Sequence, residues 1–69
     1  MSTIKVLELI GVSDKSFHDA VEQELKDASK TVHNITGLDV TSTTAKVNND
    51  RITEYHANVK FAFRVDDHR

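Results

Sequence analysis

Cysteine and proline are absent from this chain, glycine occurs only twice, and no apolar run approaches the length of a membrane span. Without cysteine there are no disulfides, no thiolate metal sites and no cysteine nucleophile, so a Cys-His zinc module is excluded. The same absence fits a reducing cytoplasm. Gly11 and Gly37 lie too far apart for a glycine-rich phosphate loop, and no serine sits in a nucleophile-elbow context. The N-terminus has no basic segment followed by an apolar run, so a soluble, unexported, cytoplasmic protein is expected, with no membrane contact. The net charge is -2 with no Lys/Arg cluster, which argues against nucleic acid. No repeat, low-complexity tract or linker interrupts the chain, and 1–69 reads as a single domain.

A core made from 69 residues nets near zero to a few kcal/mol after chain entropy. Disulfides and thiolate metal sites being excluded, oligomerisation is the leading expected support.

What the chain does have is a long alternation from Arg51 to Val65. Tyr55, Ala57, Val59, Phe61, Phe63 and Val65 fall on one side; Glu54, His56, Asn58, Lys60 and Arg64 fall on the other. This is the period of a strand with one buried face. At ~3.3 Å per residue it reaches roughly 45 Å, whereas a compact chain of this size has a radius of gyration near 11 Å. Such a strand must bend strongly or leave its own subunit.

Ile4 to Ile10 predicts a first strand, apolar on both faces: Ile4, Val6 and Ile10 on one, Leu7 and Leu9 on the other. One helix covers only one face of a small sheet, so the second face predicts a partner copy. Truncating Leu7 or Leu9 is expected to weaken assembly. Gly11-Val12-Ser13-Asp14 reads as a turn. Ser16 is the expected N-cap, with Asp19 in a capping-box position. Phe17, Ala20, Val21, Leu25, Ala28, Val32 and Ile35 lie within an arc of about 140° on a helical wheel. They predict five turns ending before Gly37, a C-terminal cap region, with Glu22 and Lys26 as an outer i,i+4 pair. Leu38 to Val47, threonine-rich, predicts a second strand, and Asn48-Asn49-Asp50 a turn into the third. The fold class is therefore α+β: a β-α-β-β unit whose three-stranded antiparallel sheet, with the longest strand central, wraps around one long helix.

No nucleophile–base pair or metal triad can be assembled from these residues, so no catalytic residue is expected. His18 and His33 fall outside the apolar arc and read as solvated, and His68 belongs to the charged tail Asp66-Asp67-His68-Arg69. His56 lies mid-strand between Glu54 and Asn58, with Lys46 on the neighbouring strand. It reads either as part of a solvated face or as a wall of a subunit-interface pocket. Glu24 falls inside the apolar arc. It reads either as the edge of the stripe, its long side chain reaching water, or as an ion contact between subunits, with calcium or magnesium as the cation.

Together, Ile4-Lys5-Val6-Leu7-Glu8-Leu9-Ile10-Gly11-Val12-Ser13, Ser16-Phe17, Ala28-Ser29-Lys30-Thr31-Val32 with Asn34-Ile35, and Tyr55 with Val59-Lys60-Phe61-Ala62-Phe63 resemble the dodecins over nearly the whole chain. The resemblance implies a β-α-β-β unit wrapped about its helix, a hollow homododecamer, and pairs of flavins (riboflavin, lumichrome or FMN) held between subunits without chemistry. By position, Gly37 stands where the family has a stacking tryptophan and His56 where it has a glutamine meeting the flavin edge. Thr44-Ala45-Lys46 stands where Arg-Gly-His is frequent, and Glu24 replaces a small apolar residue. The resemblance therefore implies flavin contacts at Gly37, Lys46 and His56, in a shell that binds or stores a small molecule. The alternative is a structural or cation-binding shell without flavin, using Glu24.

Overall fold

The computed structural model describes residues 3–65, so the expectation for His68 and its charged neighbours lies outside the described residues. The chain runs β1 (Thr3–Ser13), α1 (Phe17–Ala28), β2 (Ile35–Asn48) and β3 (Arg51–Val65). The strands form one sheet in the order β1-β3-β2, and both pairings are antiparallel. The predicted α+β architecture and central third strand stand.

The turn between β2 and β3 is set by local chemistry. Asn49 and Asp50 both have positive φ, 54° and 61°, and sit between the paired residues Asn48 and Arg51. This two-residue loop suits the right-handed twist of a hairpin, and Asn and Asp tolerate the conformation better than most. The threonines of the hairpin have a more specific role than strand propensity. The β2–β3 register slips three times, and each slip leaves one residue without a cross-strand partner: Thr36, Thr41 and Thr53. Each donates its hydroxyl to a carbonyl across the ladder, Thr36 to Ala62 at 3.4 Å, Thr41 to Asn58 at 3.2 Å and Thr53 to Lys46 at 3.3 Å. The side chain thus makes a cross-strand bond where the backbone ladder is interrupted by a bulge.

β1 continues past its predicted end. Gly11, Val12 and Ser13 pair with Ala57, His56 and Tyr55, so the expected turn there is strand, and the reversal falls at Asp14-Lys15. Ser13 organises it. Its hydroxyl accepts from the Lys15 N–H at 2.9 Å and donates to the Asp19 carboxylate at 2.6 Å. Ser16 caps α1, accepting from the Asp19 N–H at 2.9 Å. The Asp19 side chain therefore serves Ser13 rather than completing a capping box.

The helix is shorter than predicted. It ends at Ala28, at ~1.5 Å per residue a rod of about 18 Å, instead of running to Ile35. The Ser29 and Thr31 hydroxyls turn back onto the carbonyls of Lys26 and Ala28, the local competition that Ser and Thr bring to helix interiors. Asn34, at φ 65°, makes the reversal, and its carbonyl accepts from the Arg64 N–H at 3.0 Å. Ile35 and Gly37 belong to β2, and Gly37 has no positive φ, so it caps no helix.

The inward line of α1 is Ala20, Glu24 and Ala28, all buried, whereas Phe17 and Leu25 remain partly exposed. The small Ala20 and Ala28 let the helix approach β1 and β3, where Ala57, Val59 and Phe61 complete the core and Leu9, Val21 and Ile35 pack at its margin. Phe17 meets Tyr55 edge to face, ring centroids 4.9 Å apart. β2 beyond Ile35 stays exposed. The sheet extends well past its single helix, which is shorter than expected.

Leu7 and Leu9, expected on the assembly face, are turned toward the helix side and partly buried. The outward row is Ile4, Val6, Ile10 and Val12, each more than half exposed. The molecule measures 57 × 20 × 12 Å with a radius of gyration of 14.5 Å, against about 11 Å for a compact chain. Its surface of 5282 Å² exceeds the roughly 4,400 Å² of a compact monomer of this mass.

Candidate functional site

The face of the sheet away from α1 is built from cross-strand rows. Val6, Ala62 and Gly37 make one row, and Glu8, Lys60 and Asp39 the next. Ile10, Asn58 and Ser42 follow, then Val12, His56 and Thr44, and finally Glu54 and Lys46 on β3 and β2 alone. The first row holds little side-chain volume. Nothing lies within 4 Å of where a Cβ on Gly37 would stand, and Ala62 beside it carries only a methyl. The result is a solvent-open trough of about 340 Å³ lined by Val6, Gly37, Leu38, Asp39, Lys60 and Ala62. That volume is within the roughly 300–1,000 Å³ of small-molecule sites. Its floor is apolar, and the opposite charges of Lys60 and Asp39 sit on facing register positions at one side.

His56 is half-buried, and its Nε2 lies 3.0 Å from Glu54 Oε1. The hydrogen bond with His56 holds the Glu54 carboxyl below its ordinary value, with desolvation opposing and the Lys46 charge assisting. Lys46 is the register partner of Glu54. The polar group at this end is thus His56, Glu54, Lys46 and Thr44.

Of the residues expected at a ligand site, the fold brings Lys46 and His56 together and leaves Gly37 apart. Ala62 and His56 are six positions apart on β3, about 20 Å at strand spacing. Within one chain these are two separate patches on one face. Val6, Asp39, Lys60 and Ala62 were not foreseen. Their signal was available only once β1 and β2 were set in register against β3, because no sequence window contains them together.

Glu24 belongs to neither patch. It is 4% exposed, in the middle of the helix–sheet contact, so the expectation that it marks a wet edge is overturned. The large residues Val21 and Leu25 pulled the centre of the apolar arc away from the line the helix really buries. Neither carboxylate oxygen has a hydrogen-bond partner among the described residues. Burial raises its pKa above the ordinary 4.5, and the nearby Gly11 amide, outside hydrogen-bond geometry, draws it partly back. No group of three or more His, Cys, Asp or Glu side chains disposed to hold a metal occurs among the described residues of the single chain. His18 lies on the outer face of α1, 3.2 Å from Glu22. Glu22 therefore reaches back to His18 rather than forward to Lys26.

No described helix is long and apolar enough to cross a membrane. The family model described as Dodecin matches residues 3–66. Among solved structures, a dodecin from Streptomyces davaonensis is 26% identical, covering 96% of this chain and 97% of that one, with a TM-score of 0.91. A dodecin from Streptomyces coelicolor is 22% identical over 97% and 96%, with a TM-score of 0.92. A calcium-chelating immunodominant antigen, calcium dodecin, from Mycobacterium tuberculosis is 23% identical over 99% and 97%, with a TM-score of 0.82. No curated protein matches the chain.

Proposed function

Because this chain belongs to the dodecin family, we propose that it assembles into a closed homododecameric shell that binds flavins between its subunits and sequesters them without turnover. The observation that carries this reading is the trough at Gly37, an apolar slot bordered by Lys60 and Asp39 on the sheet face that α1 leaves open. A flat heteroaromatic ring such as that of riboflavin, lumichrome or FMN suits its shape. Its separation from His56 and Lys46 along β3 means that a ligand touching both patches takes them from different copies. The outward row Ile4, Val6, Ile10 and Val12 supplies apolar surface for those copies to bury, and a chain with this much excess surface gains stability by association.

Flavin affinity is low in this reading. Gly37 offers no ring where a stacking partner would stand, and losing one stacked aromatic removes ~1–3 kcal/mol per face, a figure borrowed from base–aromatic stacking. His56 can meet a polar ring edge but cannot replace that area.

Fluorescence titration with riboflavin and lumichrome, run beside the mass of the protein in solution, tests the proposal. The expected result is a large oligomer that quenches flavin saturably, but only well above submicromolar concentration. Saturation at submicromolar concentration overturns the argument from Gly37. A stable folded monomer at micromolar concentration, or no quenching at any concentration, overturns the function.

A further inference from the structure

Glu24 is the one buried carboxyl among the described residues, and the chain is shaped around it. Glu24 Oε1 occupies the space beside Gly11, only 2.6 Å from where a Cβ on that glycine would stand. An isolated charge in such a place is strongly disfavoured unless it is paired or neutralised, and neither oxygen has a hydrogen-bond partner among the described residues. We infer that Glu24 makes the seating of α1 on β1 a proton-dependent contact: the carboxyl is carried there neutral, and raising the pH loosens the helix from the strand.

Among the described residues the surroundings supply no competing charge. Toward the helix β1 turns Leu7, Leu9, Gly11 and Ser13, and β3 turns Tyr55, Ala57, Val59 and Phe61. Of these only Tyr55 titrates, and it stands against Phe17. Lys5, further along the same face of β1, is exposed. On α1 itself Asp19 is bonded to Ser13, Asp27 reaches Lys30, Glu22 reaches His18, and Lys26 is exposed. The direction of the Glu24 shift agrees, with burial as its main cause. A carboxyl raised above its unfolded value of 4.5 contributes its full stability below that pH, and loses it as the pH climbs through the raised folded value. Asp19 and Glu54 are shifted the opposite way, so they act on the acid side.

Denaturant unfolding of the full chain, followed from pH 5 to pH 9 at fixed protein concentration, tests the inference. In the wild type the unfolding constant should rise with pH, by up to about tenfold per unit for one linked proton. In Glu24→Gln that limb should flatten, and the variant should be the more stable protein at the alkaline end. Parallel slopes in the two proteins overturn the inference. Should Glu24→Gln fail to fold, an infrared titration of the wild type decides. A protonated-carboxyl C=O band that outlasts ionisation of the exposed acids supports it, and loss of the band together with theirs overturns it.

Discussion

Gly11 and Glu24 share one volume. A Cβ on Gly11 would come within 2.6 Å of Glu24 Oε1 and equally within 2.6 Å of the Ala20 carbonyl oxygen. The glycine is needed for space rather than for conformation, since its φ is not positive.

Gly11→Ala should therefore destabilise by about 1–3 kcal/mol, the usual cost of overpacking, read as a lower denaturation midpoint. Adding Glu24→Ala should recover only part of the loss, because the Ala20 carbonyl is backbone and cannot move aside. Full recovery would assign the whole conflict to the carboxyl.

The two faces of β1 should separate in experiment. Leu9→Ala, at the margin of the core, should cost about 2 kcal/mol of stability. Ile10→Lys, on the outward row, should leave the circular dichroism of the subunit intact and reduce the mass seen by light scattering. An unchanged mass for Ile10→Lys would remove that row from the assembly contacts.

Gly37→Trp should fold, since Gly37 has neither a positive φ nor a neighbour within 4 Å of its missing Cβ. Restoring one stacking face, at ~1–3 kcal/mol, should tighten riboflavin binding by about one to two orders of magnitude. Fluorescence titration of the two proteins side by side reads the ratio, and equal affinities would show that stacking at this position is not what limits binding.

Acid should reveal the Ser13–Asp19 bond. The Ser13 hydroxyl, more than nearby Lys15, holds the Asp19 carboxyl below its ordinary 3.8. A depressed carboxyl contributes stability that is present above 3.8 and lost as the pH falls through the lower folded value. Ser13→Ala should weaken the protein at neutral pH and shrink its loss of stability below pH 4, seen in thermal melts across that range. A mutant with an unaltered acid limb would place the sensitivity elsewhere.

Periodicity in the sequence located β3 from Arg51 to Val65, the N-cap at Ser16 and the hairpin turn, because each depends on neighbours in the chain. The end of α1 was misplaced for a physical reason. Val32 and Ile35 continue the helical spacing, but the Ser29 and Thr31 hydroxyls bind the last carbonyls, and Ile35 pairs with Phe63 instead. Glu24 was misread because the bulky Val21 and Leu25 shift the centre of the apolar arc, whereas the line that packs on the sheet is Ala20, Glu24 and Ala28. The sequence shows the bulge threonines only as strand formers, since register slips are invisible before pairing. At the site, His56 with Lys46 was foreseeable from one antiparallel hairpin. The trough needed all three strands.

The distance along β3 between the Gly37 row and His56 has a genetic consequence. Under the proposed ligand geometry, each binding position joins the slot of one copy to the polar cluster of another. A subunit defective at the slot and a subunit defective at the cluster would each fail alone. Expressed together, they would build mixed shells in which some positions pair two intact halves, and binding would return by complementation between two alleles that carry no working copy.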